Sequence, residues 1–277
     1  MVIGFAYSVN DIAGRGIAEK LVEILGLKCS ENLQGRARRV CGEPLRVAGF
    51  IDDVIYLEYL DSYFNGYSGV VVLSRHRASS GTPSLTVHHT GNPGDSALYG
   101  GRPWKLGVSF PSLGSSLLYM VNLEAGSRGS GFFSISYEAT HHGPTDNAIP
   151  VVFAEIGSSE KEWGLEEAHE TWARAIARVL DSRIGCSSIS IGLGGNHYPA
   201  RFTELTLRKN VCFGHIIPRY ALKNLSENAV GSLVEQAILA SAEKIEKIYM
   251  EEKAAQASKV RVIESVAEKL NIDLEIL

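Results

Sequence analysis

The stretch Glu138-Ala139-Thr140-His141-His142-Gly143-Pro144-Thr145 gathers a carboxylate, two imidazoles and two hydroxyls within eight residues of this 277-residue chain. The run before it, Gly131 to Tyr137, is aromatic and β-branched with no helical period, so it reads as a strand. Gly143-Pro144 then forces a turn. The reactive groups are thus carried to a strand end, where a loop can aim them into a cleft. If the backbone stays extended, Glu138, Thr140 and His142 share one face and His141 takes the other. If the turn begins at Thr140, both histidines can converge. A buried imidazole needs a hydrogen-bond partner, so the alternatives are two solvated loop histidines or a metal or acid–base site.

Histidine and carboxylate recur at other strand ends. Gly69 to Leu73 reads as a buried strand running into Ser74-Arg75-His76-Arg77. After a small-residue loop, Ser84 to Thr90 alternates, with Ser84, Thr86, His88 and Thr90 on a polar face and Leu85, Val87 and His89 on the other. That pattern makes His88 a site candidate and His89 a packed or surface residue. Ile149 to Ile156 is a further buried strand with Glu155 near its end. Ser187 to Leu193 runs into the loop from Gly194 to Thr203, which carries His197 and Arg201, and its paired glycines let backbone approach a ligand. Sites in open α/β sheets form beyond the carboxyl ends of strands, so one convergent cleft is expected. Histidine with carboxylate and no cysteine is the ligand set of catalytic rather than structural zinc, which brings a bound water to a pKa of roughly 7. No HExxH helix is present, and a metal-free site in which His and Glu exchange protons stays open.

The elements that must position these groups form an α/β pattern. Val2 to Tyr7 is a first strand and Asp11 to Leu25 a helix stopped by Gly26. Val47 to Glu58 carries two short strand-like pieces, residues 94–103 form a Gly-rich loop, and Leu113 to Leu123 is a short core helix. Ser159 with Glu162 makes a capping box for a helix reaching about Leu180, on whose surface His169 is placed. Val211 to Ile217 is read as a last central strand, followed by helices over 226–240 and 243–270 and by a strand or tail over 272–277. No repeat or linker divides the chain, so a single domain over 1–277 is expected.

A hydrophobic fraction of 45% with 21% charged residues is ordinary for a globular protein. No apolar run of about 18 residues occurs, so no membrane span is expected, and the first residues lack the features of a signal peptide. The net charge of −4 excludes binding of nucleic acid by bulk charge. Residues 31–46, with Arg36, Arg38, Arg39 and Arg46, are the most basic local patch, read either as a solvated loop face or as a phosphate contact. The four cysteines have no CxxC spacing and are read as reduced thiols of a cytosolic protein.

Ser74-Arg75-His76, Ser80 to His88, Gly91-Asn92-Pro93, Glu138 to Thr145, Glu155 to Ser158 with Glu162-Trp163, and Gly194 to Pro199 together resemble the archaeal and plant-type D-aminoacyl-tRNA deacylases. The resemblance covers nearly the whole chain. It implies hydrolysis of the ester joining a D-amino acid to the 3′ end of tRNA, in the cytoplasm, by a monomer or homodimer. It also implies a three-layer α/β/α fold with a mixed central sheet, related to peptidyl-tRNA hydrolase and the phosphorylase/hydrolase-like group, and two Zn2+ ions per subunit. On this reading His76, His88, His142, Glu155 and His197 are metal-ligand candidates. Glu138, His141, His142 and Thr90 are catalytic candidates. Ser80, Gly81, Ser84, Thr86, Gly194, Gly195 and Arg201 face the substrate, and Arg38 and Arg39 hold the phosphates of its acceptor stem. The alternatives are another zinc hydrolase, such as a peptidyl-tRNA hydrolase-like enzyme or an amidase, and a non-catalytic RNA-binding protein with a structural metal.

Overall fold

β1 (Ile3–Ser8) is buried along its whole length, with Ile3, Phe5 and Tyr7 in one apolar cluster and Ala6 in another on the opposite face. A strand covered on both faces belongs in the interior of a sheet. In this computed structural model, which describes residues 2–31, 35–79, 81–127 and 131–277, α1 (Ile12–Leu25) follows directly. Asp11 caps it, Oδ1 accepting from the N–H groups of Ala13 and Gly14, and Gly26 ends it at φ 62°, a conformation that favours glycine. Next come β2 (Cys29–Glu31), β3 (Ala37–Cys41), β4 (Val47–Phe50), α2 (Leu60–Tyr63), β5 (Gly69–Arg77) and β6 (Ser84–His89). α3 (Pro111–Ser127), β7 (Ser134–Tyr137), β8 (Val151–Ser158), α4 (Glu160–Trp163) and α5 (Glu166–Asp181) complete the first half of the architecture. The rest is β9 (Ser188–Leu193), α6 (Ala200–Lys209), β10 (Val211–Ile217), α7 (Arg219–Asn224), α8 (Glu227–Leu239), β11 (Lys247–Met250), α9 (Ala257–Leu270) and β12 (Asp273–Ile276).

Among the described residues eight strands form a large mixed sheet in the order β2-β3-β4-β1-β5-β8-β6-β7. β4, β1, β5 and β8 run parallel, and β6 turns antiparallel to β8. The mixed α/β architecture is the one expected. One face carries the cluster that packs α1, α3 and α5 against Phe5, Val71, Leu73, Val152 and Ala154. The other face is covered by the segment around α2, through Val54, Leu57, Leu60 and Phe64. β9 to β12 form a second, all-parallel sheet in the order β10-β9-β11-β12. Val211, Phe213, Ile216 and Tyr249 of this second sheet belong to the same apolar cluster as the first-sheet residues, so the two sheets share a core.

Several elements differ from the sequence pattern. Val211–Ile217 is an edge strand of the second sheet rather than a central strand. Residues 243–270 are not one helix. Ile245 and Ile248 fall at helical spacing, but parallel pairing with β9 and β12 draws Lys247–Met250 into a strand, and the helix starts at Ala257. Tertiary pairing here overrides local propensity. The capping box at Ser159 forms, yet it starts a four-residue helix that breaks at Gly164 before α5 begins. The second strand-like piece of 47–58 is a helical turn over Val54–Tyr56, and Ala200–Lys209 is a helix rather than loop. The cysteines are paired, Cys29 with Cys41 and Cys186 with Cys212. Strand register, invisible to local spacing rules, sets Cys29 opposite Cys41. Disulfides do not imply export, since intracellular proteins of hyperthermophiles also contain them.

His215 of β10 is fully buried behind the loop that carries Thr140. Its Nε2–H donates to Gly107 O at 3.0 Å, a carbonyl that can only accept, so Nδ1 takes the Thr140 hydroxyl hydrogen at 3.2 Å. Burial pushes the imidazole down to about 4, and the carbonyls of Gly107 and Ala240 pull it only partly back. The folded state thus prefers the neutral ring. That contribution is intact above the unfolded value of about 6.5 and is lost as pH falls towards 4, at a cost of about 3 kcal/mol. The urea midpoint is expected to fall more steeply from about pH 7 to about pH 4 than in His215→Gln. Parallel profiles would refute this.

Candidate active site

The large sheet delivers the site by register. Thr86 of β6 stands opposite Glu155 of β8, which in turn pairs with Ser74 of β5, so that His76, Glu155 and His88 come from three adjacent strands. Two indoles pin the backbone at these positions: Trp163 donates to His76 O at 2.9 Å and Trp172 to Glu155 O at 3.0 Å. After β7 the chain leaves its strand pairing. Glu138 N–H donates to Val87 O of the first sheet at 2.9 Å, whereas Ala139 N–H donates to His197 O at 2.8 Å and Thr140 N–H to Ile216 O of the second at 2.9 Å, so both sheets hold the segment. The turn begins at Thr140, and His142 takes the left-handed region at φ 43°. Of the two geometries open to the sequence, the converging one is found. Gly143 is needed at the bend, because a Cβ there would lie 2.3 Å from Gly101 N and 2.7 Å from Ile55 O.

Seven of the predicted residues meet in one cluster: His76, His88, Glu138, His141, His142, Glu155 and His197. His76 Nδ1 is 3.2 Å from Glu138 Oε1 and 3.5 Å from Glu155 Oε2, and His88 Nε2 is 3.5 Å from Glu155 Oε2. His197 Nε2 lies 2.8 Å from Glu138 Oε2, and His141 Nε2 is 3.6 Å from the same oxygen. The ring centroids of His88 and His141 are 4.3 Å apart, as are those of His141 and His142.

Three triads place one ligand atom per residue within 4.8 Å of one another: His88, His141 and His142; His76, Glu138 and His197; His88, Glu138 and Glu155. The hydrogen bonding in the first of these suits a metal. His88 Nδ1 is 3.2 Å from His89 O, His141 Nδ1 is 2.9 Å from Ala139 O and His142 Nδ1 is 2.7 Å from Gly143 O. Carbonyls only accept, so each Nδ1 carries a hydrogen, which leaves Nε2 of the neutral His141 and His142 rings with a free lone pair, while His88 Nε2 faces Glu155 Oε2. His88 Nε2 and both Glu138 oxygens are buried without an aligned hydrogen-bond partner, despite the short approach of His197. Buried acceptors left unpaired are costly, and a cation would complete them.

Charge is divided across the cluster. Burial would raise the Glu155 carboxyl, but hydrogen bonds and charge from His76 and His88 hold it well below the usual range. Glu138 is also held low, because His197 and His76 outweigh burial and the repulsion of Glu155. His76 loses to burial and gains more from both carboxylates, ending at about 8. Burial and neighbouring imidazoles keep His141 well below its ordinary value and bring His142 to about 4. Two carboxylates are therefore ionised and two imidazoles neutral at pH 7, the forms that ligate metal.

The cleft over this cluster has a volume of about 490 Å3. Asp53, Ile55, Arg75, Arg77 and Tyr99 line it beside His76, His141, His142, Glu155 and His197. These rim residues and Tyr198, whose hydroxyl is 2.6 Å from His76 Nε2, were not singled out from the sequence. Arg75 and Arg77 flank a strand-end histidine and Tyr198 follows one, which is the signal that could have found them. Arg75 and Arg77 both pack on the Trp163 ring, 5.7 and 4.7 Å from its centre.

The remaining candidates lie elsewhere. Thr86 is buried opposite Glu155 and its hydroxyl has no partner. Thr90 pairs through its backbone with His141, but its hydroxyl is turned towards Gly107. Ser84 lines a second cavity, and Gly81 stands in open space. Gly194 and Gly195 pack on Glu251, which accepts from Gly195 N–H at 2.8 Å, so they shape the His197 loop rather than the cleft wall. Arg201 sits on α6 near Glu204, and Arg38 and Arg39 are on β3, none of them lining the cleft. Ser80 falls outside the described residues. His89 is packed, its Nδ1–H donating to Gly214 O at 3.0 Å, and His169 donates to Trp163 O at 2.7 Å.

A family model described as D-aminoacyl-tRNA deacylase matches residues 63–275. A curated D-aminoacyl-tRNA deacylase from Desulfurococcus amylolyticus is 40% identical over 245 residues, covering 88% of this chain and 90% of that protein. The one from Staphylothermus marinus is 38% identical, covering 99% of each chain. Among solved structures, a conserved protein of unknown function superposes with a TM-score of 0.89 at 25% identity, covering 99% of this chain and 95% of the other.

Proposed function

The chain belongs to the D-aminoacyl-tRNA deacylase family, and from that premise we propose that the cluster around Glu138 is where its ester hydrolysis takes place. The reaction is that of the family: water cleaves the bond between the D-aminoacyl carbonyl and the terminal ribose oxygen, releasing D-amino acid and tRNA and so removing mischarged tRNA from translation. The single observation that carries the placement is the pair of buried, unpaired Glu138 oxygens facing four imidazoles at the foot of an open cleft. Among the described residues no helix is long and apolar enough to cross a membrane, and a tRNA substrate supports a cytoplasmic location.

Two triads with no residue in common, His88–His141–His142 and His76–Glu138–His197, would each hold an ion, with Glu155 between them; two zinc ions per chain fit this donor set. A bound ion supplies Lewis acidity, polarising a carbonyl oxygen and acidifying water. The chain's own residues do the rest. The ionised Glu138 carboxylate accepts a proton from the attacking water. Arg75 and Arg77, steadied by Trp163, take phosphates of the 3′ strand and fix its register.

The test is deacylation of D-Tyr-tRNA and L-Tyr-tRNA side by side. The D ester is expected to be cleaved at least about tenfold faster, a transition-state difference of about 1.4 kcal/mol. Equal rates, or no cleavage of the D ester, would sink the proposal.

A further inference from the structure

A cavity of about 540 Å3 lies beside the histidine–carboxylate cluster, between β6, the edge strand β7 and α6. Thr82, Ser84, Ser136, Tyr198, Leu207 and Arg208 are among its walls, and no cluster histidine is. Tyr198 is the partition, lining the cavity while its hydroxyl meets His76 Nε2 at 2.6 Å. The volume suits a small-molecule moiety. Ser84 adds an independent observation: it is only 5% exposed, and its Oγ has no hydrogen-bond partner. A buried hydroxyl without a partner is a group waiting for a ligand to complete it.

We infer that this cavity binds the terminal adenosine of tRNA, an inference that rests on the deacylase reading of the neighbouring site. Every aminoacyl-tRNA carries the same adenosine, whereas the amino-acid side chain changes. A fixed buried hydroxyl gains a partner in every substrate only if it faces the constant part. The occupant is neutral, because the charged lining groups, Glu204 and Arg208, are 3.3 Å apart and answer each other. Aliphatic and hydroxyl walls suit a base and ribose, and an arginine at the margin can stack on a base. The sheet register supports the placement: Gly157 of β8 pairs with His76 on one side and with Ser84 on the other, so the cavity hydroxyl and a cluster imidazole flank the same residue.

The probe is adenosine 5′-monophosphate, titrated into the full chain by calorimetry and added as a competitor during deacylation. It is expected to bind and to compete. Leu207→Trp, which fills the cavity from α6, should abolish that binding and lower kcat/KM at least tenfold, by the same factor for D-Ala-tRNA and D-Tyr-tRNA. Ser84→Ala, which leaves the volume nearly unchanged, should weaken binding of the probe about fivefold and covers the case in which the tryptophan variant fails to fold. A loss confined to D-Tyr-tRNA would give the cavity to the amino-acid side chain and overturn the inference. So would a probe that does not bind, or that binds both variants as tightly as the parent. A parent chain that binds the probe in this variant-sensitive way but leaves both D esters intact would uphold the nucleoside site and overturn the reaction.

Discussion

Glu138→Gln is expected to lower kcat/KM for D-Tyr-tRNA by about a thousandfold, within the range of a lost general base, in a chain that is still folded at the assay temperature. The carboxylate is fully buried, and its backbone N–H is fixed to Val87 O at 2.9 Å, so an amide of the same size takes the same place. His197 and His76 keep Glu138 ionised against burial and against Glu155, and an ionised carboxylate can take a proton that an amide cannot. Proton transfer belongs to the transition state, so kcat should fall while KM changes little. Stability should fall as well, because the pairing of Glu138 with His197 and His76 outweighs burial and the repulsion of Glu155, and the amide gives up its charge. A structural role predicts something else: activity lost only in proportion to the fraction of chain unfolded. An E138Q protein as active as its parent, measured at saturating substrate, would remove Glu138 from the chemistry.

What could be read from the chain depended on whether the signal was local. Period-two alternation in Ser84–His89 was enough to send His88 to the site and His89 into packing against Gly214, because a strand fixes side-chain direction residue by residue. The strand ends of β5, β8 and β9 were legible for the same reason, and with them His76, Glu155 and His197. The geometry of His141 and His142 was left open, since it depends on Ala139 and Thr140 bonding to His197 and Ile216, residues more than fifty positions away. Tyr198 and the Arg75–Trp163–Arg77 stack come from the same kind of distant contact. The basic stretch around Arg38 and Arg39 attracted a phosphate-binding reading by composition alone. Their guanidiniums instead serve β3 and its surroundings, Arg38 donating to Gly35 O and Arg39 approaching Glu19 and Glu31. Lys247–Met250 was misread because a strand supported by partners on both sides needs no local signature of its own.

Dialysis against a chelator is expected to lower kcat/KM for D-Tyr-tRNA at least about a hundredfold, with recovery on adding Zn2+, since Lewis acidity contributes several kcal/mol to such a transition state. Lone pairs, rather than residue types alone, make the cluster fit for a cation. Backbone carbonyls occupy Nδ1 of His88, His141 and His142, so Nε2 is the atom each ring turns to a cation, and in the neutral His141 and His142 it carries a free lone pair. His141 and His142 are kept neutral at pH 7 by burial and by their imidazole neighbours, so a cation need not displace their protons. Removing the ions should therefore also cost stability. A ligand at about a thousand times its Kd adds about 4 kcal/mol, which for a chain of this size is on the order of 10 °C in melting temperature. Mass spectrometry of the native protein should find close to two ions per chain, falling to about one in His142→Ala, which breaks the three-imidazole triad and leaves His76, Glu138 and His197 in place. His142→Ala with undiminished metal content would dismantle the two-triad assignment even if the chelator abolished activity. A protein that keeps its rate and its melting temperature through dialysis would instead make the cluster a proton-transfer site, in which Glu138, His76 and His197 act without an ion.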